Sequence, residues 1–594
     1  MAVRDLYPFG FDALVSRLQR ELLSDGPVYL IPRKDIWRPA ESPDLSHLHF
    51  GTRVANPAGV ASGPHTQLAQ NLVMSWLVGA RFLELKTVQI NDELEIPRPC
   101  IDVPHIGYNV EWSQELRVAE SALEYAKGWW LVHLAAEQLG IAPDCIFDVS
   151  LGYDLAGIRT DKVRGFLDAM ADATSLYDAL ERPDLPRPPA RISDTLTLST
   201  FHGCPADEIE SIARQTLDWG WHTIVKLNPT LLGYSAVRGH LDDMGYQHIT
   251  LNPQDFEKDL NWEQMLAMVD RLKAHAASLG RGFGVKFTNT LVCRSDEPNF
   301  APGQEMYLSG PPLHALSFTL ARRFMEQGVD VPVTFSAGVD AKNLADCVAL
   351  GMAPVTTCSD LLKGKGYPRL GGQLKNLVKR MGDCQDIPSF QALGSSADPL
   401  TDPRYHRAAN QKPPRKIASA LELLDCLTCD KCIPVCPNGA NLRVEIEPQE
   451  HTLQRVSWSG ASFTLAKGDP LVVSKRHQIG NIADACNLCG QCDTWCPETG
   501  GPYIEKPSLF VSHDAFVEQT GRDGMHIARG SLSWRRNGEL FRFAPGRLET
   551  PEGVVHLDGE RVIATEGRGD VDLRIMKTMA LYLDGFGRAE TWTC

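Results

Sequence analysis

Two runs of cysteine stand out for their spacing. The first is Cys426, Cys429, Cys432, Cys436 and Pro437; the second is Cys486, Cys489, Cys492, Cys496 and Pro497. Each reads C-x2-C-x2-C-x3-C-P, the bacterial run that holds a [4Fe–4S] cube. A cube needs four thiolates, and two-residue gaps let three of them come from one tight loop. In chains with two cubes the fourth Cys ligates the other cube. This assigns Cys426, Cys429, Cys432 and Cys496 to one cube, and Cys486, Cys489, Cys492 and Cys436 to the second. Two zinc sites or a disulfide knot are the alternatives. Zinc favours paired C-x2-C knuckles over four Cys in one run, and two complete copies, each closed by Pro, favour iron–sulfur. The other eight Cys (Cys100, Cys145, Cys204, Cys293, Cys347, Cys358, Cys384 and Cys594) show no paired spacing. Unpaired Cys beside iron–sulfur runs fit a reducing, cytoplasmic setting.

The rest of the chain must hold whatever exchanges electrons with these cubes. Its 594 residues suggest roughly three or four domains. Apolar residues are 43% and charged residues 22%, the balance of a globular protein with large cores. A net charge of −15 argues against nucleic acid as a partner, since phosphate binding needs clustered Lys and Arg. No apolar run is long enough to span a membrane. Met1 to Leu23 reads as an amphipathic segment without the apolar centre of a signal peptide.

From Arg53 to Met381, short apolar runs alternate with helical patterns. The strand candidates are Arg53–Ala61, Phe82–Thr87, Ile146–Leu151, Thr195–Thr200, Thr223–Leu227, Gly284–Thr288, Val331–Ser336 and Pro354–Cys358. Amphipathic stretches such as Ser113–Gly140, Ala206–Trp219, Leu313–Gln327 and Ala341–Leu350 lie between them. Eight such units predict an α/β (β/α)8 barrel; a doubly wound sheet is the rival. The expected domains are a barrel with an N-terminal extension over 1–382, a Pro- and Ser-rich linker over 383–416 and a two-[4Fe–4S] α+β ferredoxin-like domain over 417–512. That domain carries an insert at 438–485, and a small β-rich tail occupies 513–594. The insert shows strand-like Arg443–Ile446, Val456–Leu465 and Leu471–Ser474. The tail shows Ser531–Arg535, Leu540–Phe543, Gly553–Leu557 and Arg561–Ala564, with no legible chemistry.

A barrel places function at the C-terminal ends of its strands, and motifs fall there. Strand one closes with Asn56-Pro57-Ala58-Gly59-Val60-Ala61-Ser62-Gly63, small residues that let a flat ring approach the backbone. Strand two ends in Lys86-Thr87, strand five in Lys226-Leu227-Asn228-Pro229 and strand six in Thr288-Asn289-Thr290. Strand seven ends in Ser336-Ala337-Gly338-Val339-Asp340 and strand eight in Cys358-Ser359-Asp360, where barrels commonly bind phosphate. Singly each motif is weak: a lone Lys is as often an ion-pair partner as a ligand.

In this order the motifs resemble the dihydroorotate dehydrogenase-like FMN barrels, and the pyrimidine-reducing half of dihydropyrimidine dehydrogenase, which also joins such a barrel to two [4Fe–4S] clusters. Ser199-Thr200-Phe201-His202-Gly203-Cys204-Pro205, and the second cysteine run followed by Gly501-Pro502-Tyr503, resemble the family designated selenate reductase subunit or glutamate synthase-like. The resemblance covers about Leu45 to Phe510. It implies that Ala61 and Ser62 meet the flavin through backbone, and that Lys86 and Thr87 lie near flavin and substrate. Lys226 would bond the ring near N1 and O2, where a fixed cation stabilises the charge of the reduced form. Ala337, Gly338, Cys358 and Ser359 would cradle the FMN phosphate. Asn109, Asn289 and Thr290 match positions that hold the amide edges of the substrate; Ser199 and Asn228 complete the substrate side. The pyrimidine-reducing relatives carry Asn where this chain has Ser199, and this chain has two extra residues before Cys204. Cys204 would be the acid that serves the substrate, with His202 the alternate acid.

No G-x-G-x-x-G lies between a strand and a helix; Gly280-Arg281-Gly282-Phe283-Gly284 precedes its strand. Electrons are therefore expected from a partner flavoprotein or a ferredoxin, with the chain a subunit of a hetero- or homo-oligomer. Two functions of different class follow. One is a reductase or oxidase of an unsaturated nitrogen heterocycle. The other is an electron-transfer subunit with no small-molecule substrate of its own. Nothing in the sequence suggests a molybdenum cofactor site.

Overall fold

The computed structural model describes residues 5–40, 42–111, 113–199 and 204–588. They divide into two compact units. One runs from Leu18 to Pro414; the other takes the chain before Leu18 and from Arg415 onward.

The first unit is built on a closed, eight-stranded parallel barrel. Its strands are β1 (Ala58–Val60), β2 (Phe82–Glu84), β3 (Ile146–Leu151), β4 (Thr195–Ser199), β5 (His222–Leu227), β6 (Phe283–Phe287), β7 (Val333–Phe335) and β8 (Val355–Thr357). Each pairs with the next, and β8 closes on β1 with Val355 opposite Ala58 and Thr357 opposite Val60. All six residues of β3 are buried, as a strand covered on both faces requires. The run Arg53–Ala61 divides at Pro57, which has no N–H for a sheet. Thr52–Val54 pairs with His47–His49 outside the barrel, and only Ala58–Val60 enters it. The Thr200 end of the fourth strand candidate lies outside the described residues.

Helices follow the strands. In Ala206–Asp218 the buried residues are Ile209, Ile212, Ala213, Thr216 and Leu217, the three- and four-residue spacing of one helical face. Asp207 and Glu208 sit in its first turn, where the helix dipole favours carboxylates. Val118–Leu139 stops at Gly140, which is left-handed at φ 63°. At the N-terminal end of the barrel Val54, Phe82, Ile146 and Ile224 pack together with Phe50 against them, which makes that end a dry plug. Four short strands (Ile101–Asp102, Gly107–Asn109, Leu291–Cys293 and Met306–Ser309) form a separate antiparallel sheet from the loops after β2 and β6.

The stretch read as a linker is ordered up to Pro414 within this unit. It carries the helix Ile387–Gln391, capped by Asp386, and buried Tyr405, whose carbonyl accepts the Tyr246 hydroxyl at 2.7 Å. The Tyr405 ring stacks on His314 at 5.0 Å.

In the second unit most insert strands and the tail belong to one eleven-stranded sheet, while Gln449–His451 and Leu471–Val473 pair apart from it. The insert hairpin Gln454–Ser459 and Ser462–Lys467 pairs with the long tail strand Arg561–Asp572, Arg455 standing opposite Asp572. The Trp458 indole donates to the Glu566 carbonyl at 2.9 Å across that seam. No helix among the described residues is long and apolar enough to cross a membrane.

Candidate functional site

A cavity of about 530 Å3 opens at the C-terminal ends of the barrel strands and is lined from all eight of them. This is the size and position expected of a cofactor or substrate site. Ala61, Ser62, Lys86, Thr87, Asn109, Ser199, Lys226, Asn289, Thr290, Ala337, Gly338, Cys358 and Ser359 all line it. Thus the flavin-side residues and most of the substrate-side residues expected from sequence share one wall.

Each is held from behind. The Thr87 amide donates to Ser62 Oγ at 2.8 Å, and Thr87 Oγ1 sits 2.8 Å from Ser150 Oγ, so hydroxyls tie β1, β2 and β3 together. The Tyr125 hydroxyl donates to the Lys86 carbonyl at 2.8 Å. The Ala337–Gly338 turn is pinned by His314 Nδ1, 2.8 Å from the Ala337 carbonyl, and by Asn343 Nδ2 donating to the Gly338 carbonyl at 3.0 Å. Gly338 has φ 49°, and a Cβ there would come within 2.2 Å of the Gly310 carbonyl oxygen. Only glycine lets the backbone pass at this point. Ser359 and Asp360 open a 3-10 turn after β8, so their amide N–H groups have no partner within the turn. Arg369 and Gln373 anchor the Asp360 carboxylate at 2.6 and 3.1 Å.

Two lysines reach the cavity in different company. Lys86 is ion-paired with Glu111 inside the protein. Burial pushes its ammonium down to about 8, with Glu115 pulling the other way. Lys226 comes up from β5, also lowered chiefly by burial and supported by Glu84. Glu84 Oε1 lies 3.9 Å from its Nζ.

Two expected residues are not brought to this wall, and a third falls outside the described residues. Asn228 donates to Asp259 at 3.1 Å and borders a separate small void with Leu227 and Leu260. The strand alternation that would turn it inward ends at Pro229, where a 3-10 helix begins. Cys204 is 2% exposed and does not line the cavity. Burial, then the carboxylates of Glu208, Asp259 and Asp207, push its thiol up to about 12. The structure thus sets Cys204, the residue read as the acid, apart from the cavity wall. His202 lies outside the described residues. Conversely, Glu111, Tyr153, Asp154, Glu305 and Tyr307 line the cavity without having been singled out. Glu111, two residues after Asn109, is the one a sequence signal could have found.

These features fit FMN: amide groups and a glycine turn for a phosphate, a cation from β5 for the ring and a cavity of adequate volume. The second unit fits the cubes in a comparable way. Cys426, Cys429, Cys432 and Cys496 border one small void. Burial, and then the sulfurs of Cys496, Cys426 and Cys429, push the Cys432 thiol well up. The corresponding neighbours of Cys492 are led by Cys489, Cys486 and Cys436. A cationic metal core relieves such crowding by holding the sulfurs as thiolates. Among the described residues no three His, Cys, Asp or Glu converge as ligands of a single metal ion.

The closed barrel with its ligand cavity at the strand ends places the first unit among the TIM-barrel proteins. The family described as "Oxidoreductase YgfK, N-terminal TIM-barrel domain" matches residues 29–407; the chain belongs to this family. Two curated relatives named "Putative oxidoreductase YgfK", from Escherichia coli strain K12 and from Escherichia coli O157:H7, are each 37% identical over 467 residues. The match covers 72% of this chain and 44% of each relative, so the chain spans less than half the length of those relatives. Two solved structures from Eimeria tenella, a ligand-free DHODH and a DHODH in complex with ferulenol, are 15% identical with TM-scores of 0.40 and 0.41. They cover 62% and 66% of this chain, and 92% and 96% of their own chains are covered.

Proposed function

We propose that this protein is an iron–sulfur flavoprotein oxidoreductase, with FMN in the barrel cavity and a [4Fe–4S] cube on each set of four cysteines. The compound it reduces or oxidises is a conjugated nitrogen heterocycle of pyrimidine or purine type, and a partner flavoprotein or ferredoxin exchanges electrons with it. The observation that carries the reading is convergence. Strand-end residues far apart in sequence, which a resemblance assigns to flavin and substrate, line one cavity. When bound, FMN would supply hydride transfer at its ring, and the cubes one-electron exchange.

The chain's own residues supply the rest. The Lys226 ammonium presents a fixed cation to the ring. The turns at Ala337–Gly338 and Ser359 present amide N–H groups to a phosphate. Asn109, Asn289 and Thr290 offer amide and hydroxyl groups for the edges of a heterocycle, which a pure relay would not need. Lys86 Nζ, buried at the cavity wall and paired with Glu111, holds a proton that it can yield to a ring bound there. This assigns the acid's role to Lys86 in place of Cys204.

The test starts from protein purified without oxygen. About eight irons and eight labile sulfides per chain, with one FMN, are expected. The flavin is then reduced and its reoxidation followed with uracil, xanthine and urate. Reoxidation by at least one of these rings supports the reading. Reoxidation by none moves the assignment to an electron-transfer subunit, and zinc without labile sulfide ends the iron–sulfur part. Lys226→Ala should weaken FMN binding or make the flavin harder to reduce, and unchanged content and potential would return Lys226 to a purely structural ion pair.

A further inference from the structure

Beneath the cavity the barrel encloses four ionisable groups. Glu84 on β2 stands opposite Asp148 on β3, and Lys226 on β5 stands opposite Lys286 on β6. Glu84 and Asp148 are fully buried, and Lys286 is 1% exposed. Of the four, only Lys226 lines the cavity.

Glu84 does not serve its two lysines equally. Its Oε2 is ion-paired with Lys286 Nζ, which also donates to Thr356 Oγ1 at 3.2 Å. Its Oε1 lies 3.9 Å from Lys226 Nζ, beyond hydrogen-bond range, and has no hydrogen-bond partner among the described residues. Asp148 accepts the Thr197 hydroxyl at 2.6 Å. Burial, then the neighbouring Glu84 charge, hold Asp148 up at about 7. A buried carboxylate drawn onto one ammonium is held off the other, and inside a protein a change of one contact in a charge pair is worth far more than in water.

We infer that Lys286 is a positioning residue for the cavity: by holding Glu84 it keeps the ion pair between Glu84 and Lys226 long, so that less of the Lys226 charge is offset and more of it reaches the ring bound above. The inference rests on the flavin reading and adds to it a device, buried one layer below the site, that sets how readily the ring accepts electrons.

The experiment is a charge cycle read as the ratio of affinities for reduced and oxidised FMN, obtained from the midpoint potential. In Lys286→Met, a change of similar volume, Glu84 is released to Lys226. The ratio should fall about tenfold, a lowering of about 30 mV for a two-electron couple. Removing the whole pair, Glu84→Gln with Lys286→Met, takes away the released carboxylate as well, and the ratio should return to the unsubstituted value. A role in packing alone would make the double variant as low as the single one or lower, and that result overturns the inference. Should the single variant fail to fold, the neutral double variant decides alone: an unsubstituted ratio supports the inference, and a lowered ratio or failure to fold overturns it. FMN content is measured first. An unsubstituted protein without FMN sinks the flavin reading, whereas normal FMN content without recovery in the double variant sinks only the role of Lys286.

Discussion

The two cysteine runs are sixty residues apart and turn their backbones alike. Thr428 and Leu488, each two residues after the first Cys, have φ 48° and 54°; Asp430 and Gly490, each just after the second Cys, have φ 58° and 89°. Identical spacing has produced the same loop twice. The surroundings differ at three of the matched positions. Leu427 is 47% exposed where Asn487 is 3% exposed, Lys431 is exposed where Gln491 is fully buried, and Cys429 is exposed where Cys489 is buried. Cysteine spacing fixes the loop, then, while the residues between the cysteines decide which loop meets solvent.

The largest effect expected from this contrast is on metal content. Cys429→Ser and Cys489→Ser should each cost about four of the eight irons, one cube each. Cys429→Ser should leave the flavin spectrum and the melting transition of the barrel unchanged. Cys489→Ser, in a buried loop, should also lower the stability of the second unit. With a chelator, iron should leave the unsubstituted protein in two phases, and Cys429→Ser should lack the fast one. A single phase in the unsubstituted protein, or loss of the slow phase in Cys429→Ser, would show that exposure does not separate the two sets.

A smaller effect concerns the matched turn residues. Gly490, at φ 89°, precedes the helix Gln491–Trp495. Alanine there should cost roughly 1–2 kcal/mol, the penalty for a Cβ in a left-handed conformation. Asp430 adopts the same turn as a non-glycine residue, a conformation open to aspartate. Its carboxylate is ion-paired with Arg443 and lies 2.9 Å from His477 Nε2. Asp430→Gly trades these half-exposed contacts for an easier turn, so less than about 1 kcal/mol is expected. Urea unfolding of both variants checks the order. Equal costs would mean that the two turns are equally constrained after all.

What the sequence made legible follows the range of the forces involved. Ile146–Leu151 was readable because a doubly covered strand is mostly apolar, here Ile146, Phe147, Val149 and Leu151, and Lys86 and Lys226 because strand ends can be counted. Asn228 was misplaced because period-2 alternation was carried past Pro229 into a 3-10 helix. Cys204 was misplaced because the burial of a thiol beside three carboxylates is a tertiary fact. Tyr307 and the antiparallel sheet were not seen, since strands of two to four residues leave no period to detect. The pairing of Arg455 with Asp572 joins segments more than a hundred residues apart, and neither strand carries a mark of its partner. The cysteine loops were the opposite case, being local enough for spacing alone to specify them.

A comparably small effect is expected at the residue just before each run. The first run follows Asp425, and the second follows Ala485, which is buried. Asp425 has φ 53° and spends its carboxylate on the chain after Val473. Oδ2 accepts the Ser474 amide at 2.6 Å; Oδ1 accepts the Lys475 amide at 3.1 Å and Gln478 Nε2 at 2.9 Å. Partial burial alone would raise its pKa, but these donors outweigh it and hold the carboxyl below the ordinary aspartate value. A depressed carboxyl stabilises the folded state above its unfolded value, near 3.9, and loses that contribution as pH falls through the folded value. Asp425→Asn turns one acceptor oxygen into a donor that faces backbone N–H groups, and should cost about 1 kcal/mol at pH 7, the net worth of a hydrogen bond. At pH 3 the difference between the variant and the unsubstituted protein should shrink, because below the unfolded value the unfolded chain takes up a proton that the folded carboxyl resists. The urea midpoints of the two proteins at the two pH values measure this directly. A gap of the same size at both would mean that the shape of the Asp425 side chain, and not its charge, holds the exposed loop in the conformation that its buried twin keeps by packing.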